Sequence, residues 1–557
     1  MSRKKRVLFL TEAAYLSTGY ATYSRNVLNH LKSTGKYEIA EISVYGSAED
    51  PRRSTIPWKN YPVLPDSTST DEEKQVYNSN QSNVFGSWRF ERACLDFKPD
   101  VVLTIRDFWM DSFVYESPYR RIFKWIWMPT VDAAPQNEEW IHQFADADAV
   151  LTYSDWAKDV IDKQSGGSVN TICSASPSAS EEFCMAPDKA AIKAEMGFPA
   201  DCKIIGTVMR NQRRKLFPTL FEAFSKYLKN TGDTKTYLHC HTSYPDGGWD
   251  FGDLLHRYGI SSRVFFTYIC SNPECKSVEL SRFNDTRKSC TKCKAFTSTQ
   301  TTVNNGISDN VLAKIYNLYD LYVQCANCEG FGLPQVEAAA CGVPVACTNY
   351  SAMEDIVKKL NAYPIEPQSL YKELETGCER AVPSVDCLVK IFEDFFSQSF
   401  IEINNKRIET RQLFEKNYGW DKTAKVWMDV IDPLEYADWD VEPIIKPTID
   451  VPTNAQENNT EFLRKCAHMY LIDPNRMNSH VFRIFLRDLN SGIFKPPADG
   501  FWSSEYSPFT NRVANQPFTR DKVVEILKHK LTNSNAWEHV RTNPEILTDR
   551  GAKWLNN

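Results

Sequence analysis

The sequence predicts an α/β protein made of two doubly wound, Rossmann-like domains in tandem, and three observations lead to this prediction. Short, β-rich apolar runs alternate with amphipathic helical stretches, which is typical of parallel strands joined by helices. The same alternation starts again near residue 203. A chain of 557 residues has the length of several domains and can bury a large core without disulfides.

The individual elements follow from these patterns. In the first half, we predict strands at 6–10, 101–105, 125–131 and 149–154, and helices at 22–31 and 138–147. In the second half, we predict strands at 203–209, 236–242, 263–269, 321–326 and 344–347, and helices at 218–228 and 414–431.

Polar and proline-rich stretches divide the chain further. Residues 40–85 have the composition of a loop-rich insertion, 171–200 that of a linker, and 440–461 that of a second linker before a slightly basic tail with helical periodicity. The predicted units are an N-terminal domain (1–185), a second domain (186–415) with an insertion at 268–300, a helix returning to the first domain (416–435) and a mostly helical extension (455–557).

Composition excludes several classes of protein. The net charge of −6 argues against a surface built throughout to bind nucleic acid, although a local basic patch stays compatible with it. No apolar run reaches the length of a membrane span, so we expect no integral membrane association. Sixteen cysteines without a secretion signal predict a reducing, cytoplasmic location.

The most informative motif is EGFGLPQVEAAACGVPV at 329–345. Gly330 and Gly332 allow a tight turn and close approach to a ligand, and the helix that follows offers free N–H groups to an anion such as a diphosphate. Glu329 and Glu337 are suited to accept hydrogen bonds from sugar hydroxyls. The alternative is a strand-to-helix turn that binds nothing.

A second motif, GTVMRNQRRKLFPTLFEAF at 206–224, consists of a strand, a basic loop and a helix. Cations at the carboxyl end of a parallel strand lie where such sheets bind ligands, and they stabilise the charge of a departing diphosphate. Arg210 and Lys215 flank this loop, with Arg213 and Arg214 between them. The alternative for the two central arginines is a solvated surface.

These two motifs resemble the group-1 glycosyltransferases of the GT-B fold, the retaining family called family 4, and the resemblance extends over roughly residues 5–435. It implies that Glu329 contacts the donor sugar and that Glu337 holds the nucleotide ribose. It also implies that Arg210 and Lys215 grip the diphosphate. The backbone implied to hold sugar and phosphate comprises Gly330, Phe331, Gly332 and Leu333.

Two strings in the first domain acquire roles only through this resemblance. The loop around Gly19 is similar to the family's glycine loop across the cleft from the donor, although a plain strand-to-helix turn is the alternative. Asp132 lies where a group could orient or deprotonate the acceptor hydroxyl, and a structural cap is its alternative role. Arg106 and Asp107 are weaker candidates for the cleft.

Four cysteines form a metal-binding pattern of the type C-x4-C-x14-C-x2-C: Cys270, Cys275, Cys290 and Cys293. Two pairs of thiolates separated by a short polar segment suit a tetrahedral zinc ion with no open position, which indicates a structural site. Four free cysteines are the alternative. The insert is similar to those of some phage and archaeal group-1 transferases.

The predicted function is retaining transfer of a hexose or pentose from a UDP- or GDP-type nucleotide-sugar donor to a hydroxyl, without a catalytic metal. A zinc insert and a slightly basic tail suit a polymer acceptor, for example a hydroxymethylated base in phage DNA. A polysaccharide, a lipid-linked saccharide or a protein are competing acceptors. A non-catalytic nucleotide-sugar-binding scaffold and a sugar-nucleotide epimerase are alternatives of other classes.

Overall fold

The structure, a computed structural model, describes residues 3–302 and 305–440. It confirms the α/β class, with one parallel sheet and one mostly parallel sheet, each flanked by helices. The predicted extension at 455–557 lies outside the described residues. No helix in the described part of the chain is both long and apolar enough to cross a membrane.

The first sheet has seven parallel strands in the order β3-β2-β1-β4-β5-β6-β7. Its strands are β1 (Lys5–Glu12), β2 (Tyr37–Val44), β3 (Lys59–Pro62), β4 (Val101–Arg106), β5 (Lys124–Pro129), β6 (Ala149–Thr152) and β7 (Thr171–Ser174). Its helices are α1 (Gly19–Ser33), α2 (Asp71–Ser79), α3 (Gln81–Val84), α4 (Ser87–Phe97), α5 (Ser112–Glu116), α6 (Glu138–Phe144) and α7 (Asp155–Ser165).

The second sheet has the order β11-β10-β9-β8-β13-β14-β15, and β12 also pairs with β10. Its strands are β8 (Lys203–Val208), β9 (Thr236–His241), β10 (Val264–Cys270), β11 (Val278–Arg282), β12 (Ser298–Gln300), β13 (Leu321–Gln324), β14 (Val345–Thr348) and β15 (Tyr363–Ile365). The helices of this half are α8 (Lys189–Glu195), α9 (Phe217–Thr231), α10 (Phe251–Tyr258), α11 (Asp309–Leu318), α12 (Leu333–Ala340), α13 (Met353–Leu360), α14 (Val385–Ser397), α15 (Phe400–Asn417) and α16 (Trp420–Ile431).

Burial explains the central strands of both sheets. Strand β4 is buried along its whole length, and all but the first residue of β8 is buried, because helices cover both faces of a parallel sheet. Local signals fix the helices: Thr18 caps α1 by accepting a hydrogen bond from the Ala21 N–H, and Gly259 in a left-handed conformation ends α10.

Three predictions about connecting segments are wrong in detail. The supposed loop-rich insertion at 40–85 contains the end of β2, all of β3 and the helix α2. The supposed linker at 171–200 contains β7 and α8. The helix predicted at 414–431 is two helices, because the backbone turns at Gly419 between α15 and α16.

The last helix packs against the first half of the chain. On α16, the Trp427 indole N–H donates to the Tyr23 hydroxyl at 2.8 Å, and both side chains are buried. The Lys5 ammonium donates to the backbone carbonyls of Ile431 and Asp432 at 2.9 and 2.8 Å, which satisfies the end of this helix. The beginning of β1 and the end of α16 therefore lie side by side.

Candidate active site at the interface of the two sheets

Two loops of the second sheet lie next to each other because their strands are neighbours. Strands β8 and β13 pair in parallel, so the segments that follow them leave the same edge of the sheet. The Leu216 N–H donates to the Cys325 carbonyl at 2.9 Å, and the Asn327 N–H donates to the Arg214 carbonyl at 3.0 Å. This places the basic loop beside Glu329.

Glu329 is the centre of this arrangement and is only 5% exposed. Its carboxylate forms an ion pair with the buried Lys215 ammonium, accepts a 2.9 Å bond from the Arg214 guanidinium, and accepts a 2.5 Å bond from the Gln324 amide. Burial and the neighbouring Arg214 charge hold the pKa of Lys215 well below its usual value. Lys215 and Arg214 thus share this single carboxylate.

The glycine loop after Glu329 approaches the first sheet closely. A Cβ atom on Gly330 would lie 2.6 Å from Cγ2 of Thr130, which follows β5, so no larger residue fits there without displacement. Gly332 has φ +105° and begins α12, with Leu333 as its first helical residue. Phe331 is buried against the Tyr418 ring. The N-terminus of α12 therefore opens beside the Glu329 cluster.

Glu337, one turn into α12, has a different environment. The Tyr316 hydroxyl donates to its carboxylate at 2.8 Å. Burial raises the pKa of Glu337 to about 7, and the nearby charge of Asp309 adds to this increase. The carboxylate thus changes its charge close to neutral pH.

Arg210 is not in the Glu329 cluster. It lies on the exposed side of the basic loop and forms a two-pronged ion pair with Asp246, with both distances at 3.1 Å. The Ser243 hydroxyl and the Gly247 N–H also donate to Asp246. Arg214 lies between Arg210 and Lys215 in the sequence and was expected to have a lesser role. In the structure its guanidinium pairs directly with Glu329.

The first sheet contributes the opposite wall. Gly19 is exposed at the start of α1, with open space where a side chain would be. Asp132 pairs with the Arg380 guanidinium at 3.0 Å and accepts a bond from the Cys328 thiol at 3.3 Å. Asp132 therefore contacts the residue that precedes Glu329, and its carboxylate is paired with Arg380.

Two further carboxylates lie on this wall: Glu12, which the sequence analysis missed, and Asp107, which was only a weaker candidate. Burial raises the pKa of Glu12 and of Asp107, and among the charges that lower these pKa values are Arg210 for Glu12 and Arg214 for Asp107. The Tyr20 hydroxyl donates to Asp107 at 3.1 Å and bonds with Thr130 at 2.8 Å. In the sequence, only the positions of Glu12 and Asp107 at the carboxyl ends of β1 and β4 indicate a role at this site.

The four cysteines of the insertion come together as a cluster. All four sulfur atoms lie within 4.8 Å of one another, with Cys270–Cys293 at 3.6 Å and Cys275–Cys290 at 3.8 Å. A tetrahedral zinc ion with bonds of about 2.3 Å requires sulfur atoms about 3.8 Å apart, so the thiols fit such an ion. The segment extends the second sheet, since β11 and β12 pair antiparallel with β10.

Comparison with known proteins finds a family similarity for part of the chain. Residues 285–381 match the family model for glycosyl transferases group 1, and this range includes the Glu329 loop and α12. No curated protein is similar enough in sequence to count as a match.

Solved structures share the fold at low sequence identity. A sucrose-phosphate synthase from Thermosynechococcus elongatus is 15% identical with a TM-score of 0.55, covering 78% of this chain and 99% of its own. The Anabaena protein HepE, in complex with UDP and glucose, is 11% identical with a TM-score of 0.54, covering 77% and 100%. An E. coli trehalose-6-phosphate protein bound with UDP-2-fluoro glucose is 12% identical with a TM-score of 0.52, covering 78% and 100%. These neighbours support the GT-B architecture.

Proposed function

We propose that this protein is a group-1 glycosyltransferase that moves a sugar from a nucleotide-diphosphate donor to a hydroxyl group. The observation that carries the proposal is the cluster of Glu329, Lys215 and Arg214 near the N-terminus of α12, next to the point where Gly330 approaches Thr130 at the end of β5. The group-1 family match over 285–381 and the GT-B neighbours support it. Two of those neighbours are described with a UDP ligand.

Donor binding follows from the charges of the cluster. A diphosphate brings negative charge to Lys215 and Arg214 and to the positive end of the α12 dipole, and Arg210 can leave Asp246 to join them. Once the phosphates occupy the cations, the Glu329 carboxylate is free to accept bonds from sugar hydroxyls. Glu337 accepts bonds from the ribose.

We propose that the reaction retains the anomeric configuration. The bond between the anomeric carbon and the phosphate oxygen breaks, a bond from the acceptor oxygen forms on the same face, and the hydroxyl proton passes to the leaving phosphate. Lys215 and Arg210 stabilise the charge on the diphosphate, so no catalytic metal is needed. Asp132 orients the acceptor hydroxyl, and Gly19 leaves room for the donor phosphates opposite the cluster.

The acceptor and the cellular context belong to the same proposal. A hydroxymethylated base in phage DNA is the acceptor that we favour, with a polysaccharide, a lipid-linked saccharide or a protein as competing acceptors. Base access in a duplex requires flipping or major-groove reach. We propose zinc as the metal of the four-cysteine cluster, where it stabilises the insertion, and a cytoplasmic location for the enzyme.

The test is incubation of the protein with a panel of UDP- and GDP-sugars and candidate acceptors, DNA included, followed by mass spectrometry. A glycosylated acceptor that disappears in the Glu329→Ala and Lys215→Ala variants supports transfer. A changed sugar without any acceptor indicates an epimerase. Donor binding without any turnover indicates a scaffold, and persistence of transfer in both variants contradicts the assigned site.

A further inference from the structure

The hairpin β16 (Pro367–Lys372) and β17 (Glu379–Pro383) forms a two-stranded sheet separate from both large sheets. The backbone of its second strand bonds with both halves of the chain. The Glu379 N–H donates to the Ala134 carbonyl of the first half at 2.9 Å, and the Ala381 N–H donates to the Asn327 carbonyl at 2.9 Å. The hairpin therefore contacts both the Asp132 loop and the segment that leads to Glu329.

Arg380, between those two residues, is only 7% exposed and is surrounded by polar groups. Its guanidinium pairs with Asp132 at 3.0 Å and with Glu373 at 2.7 Å, and it donates to the Cys328 sulfur at 2.8 Å. Burial by itself lowers the pKa of such a group, but Cys328, Glu373 and Asp132 together raise the pKa of Arg380 above its usual value. The charge is thus retained and compensated inside the protein.

These partners belong to different parts of the molecule. Glu373 lies in the hairpin and Cys328 precedes Glu329, so both stay with the second half of the chain, whereas Asp132 follows β5 of the first half. Opening the cleft separates Asp132 from Arg380 but leaves the other two contacts in place. Closure therefore adds a second carboxylate to a guanidinium that already pairs with Glu373, and this charge-assisted contact favours the closed arrangement.

The same cation is linked to the donor site. The Cys328 carbonyl accepts a bond from the Arg214 guanidinium at 3.3 Å, and Arg214 also bonds with Glu329 at 2.9 Å. We propose that Arg380 is a positioning residue that holds Asp132 on the second domain and so aligns the first-domain wall with Glu329 when the cleft closes. Its effect on transfer rests on the proposed function, whereas its effect on closure does not.

The first experiment measures closure without any substrate. Arg380→Lys keeps the charge but cannot contact Asp132, Glu373 and Cys328 at once, and Asp132→Asn removes the charge from the other side. The matched control is Arg257→Lys, because Arg257 is an exposed arginine of α10 that pairs with Asp253 four residues earlier. Small-angle X-ray scattering gives the radius of gyration of each full-length protein, and thermal unfolding shows that each is folded.

We expect a larger radius of gyration for Arg380→Lys and Asp132→Asn than for the wild type and the control. The double variant should open no further than either single variant, since the two residues act through one contact. Radii equal to that of the wild type in both folded variants would overturn the proposal, whatever the activity of the protein.

The second experiment measures transfer with the donor identified by the panel. We expect kcat to fall by about tenfold to a hundredfold in Arg380→Lys, because the two walls are misaligned by about an ångström. Asp132→Asn is left out of this comparison, because Asp132 is also proposed to orient the acceptor. The KM for the donor should change by less than about threefold, because its contacts lie on the second domain. A rise in donor KM with unchanged kcat would refute the positioning role. Failure of the wild type to bind UDP or GDP would refute the proposed function and leave the closure result standing.

Discussion

The replacement Glu329→Gln tests the charge balance of the candidate site most directly. The amide preserves the shape of the side chain, but it removes the carboxylate that Lys215 and Arg214 share. Removing one partner of a buried ion pair costs about 3–5 kcal/mol. Because Arg214 is 40% exposed and the amide still accepts one hydrogen bond, we expect the lower end of this range. For a domain of this size, about 3 kcal/mol corresponds to a decrease in Tm of roughly 6–12 °C.

A diphosphate should reverse this destabilisation. UDP or GDP brings negative charge to the two uncompensated cations, so the nucleotide should raise the Tm of Glu329→Gln more than that of the wild type. Transfer should nevertheless fall by about 10²–10³-fold, since the sugar loses its carboxylate partner. The control is Glu415→Gln on α15, which changes an exposed ion pair with Arg411. Equal Tm values for variant and wild type, or equal shifts with nucleotide, would refute the assignment.

Three further predictions concern other parts of the site. Because the folded-state pKa of Glu337 is raised from 4.5 to about 7, the stability it contributes is present below the lower value and is lost as pH rises through the higher one. Donor affinity, measured by calorimetric titration, should instead increase between about pH 6 and 8 as the carboxylate ionises. In Glu337→Gln, neither the stability nor the donor affinity should show this change with pH. Chelation or Cys293→Ser should release zinc, measured by atomic absorption, and should lower the Tm; a purified chain without bound metal would contradict this. Arg210→Ala should leave the stability within about 1 kcal/mol, because its pair with Asp246 is exposed, but should raise the donor KM about tenfold in steady-state kinetics; an unchanged KM would exclude Arg210 from the donor site.

The sequence predicted the central strands well and the edge of the first sheet poorly, for a physical reason. Strand β8 is nearly all apolar because helices cover both of its faces. Strand β2 contains Glu41, whose charge conceals the strand from an apolar pattern. In the structure Glu41 is fully buried and accepts bonds from the Trp58 indole at 2.7 Å and from the Ala14 N–H at 2.8 Å. Such compensation comes from residues distant in the chain.

The candidate site was predictable where its residues are contiguous. The loop from Glu329 to Leu333 and the start of α12 follow from one string of sequence. The pairing of Glu329 with Lys215, 114 residues earlier, depends on strands β8 and β13 lying side by side. The position of Arg380 could not be predicted, because the hairpin that carries it joins neither large sheet.

The contact between the beginning of β1 and the end of α16 has a consequence for engineering the chain. The Arg3 carbonyl accepts a bond from the Tyr436 hydroxyl at 3.0 Å, and the Arg3 guanidinium donates to the Ala437 carbonyl at 3.4 Å. In a shortened chain without residues 438–557, a linker of a few residues can therefore connect residue 437 to residue 3, with the loss of the bond from the Trp439 indole to the Pro99 carbonyl. New ends can be opened at Gly167, an exposed glycine between α7 and β7. A circular permutant built in this way would still bring both halves of the cleft together.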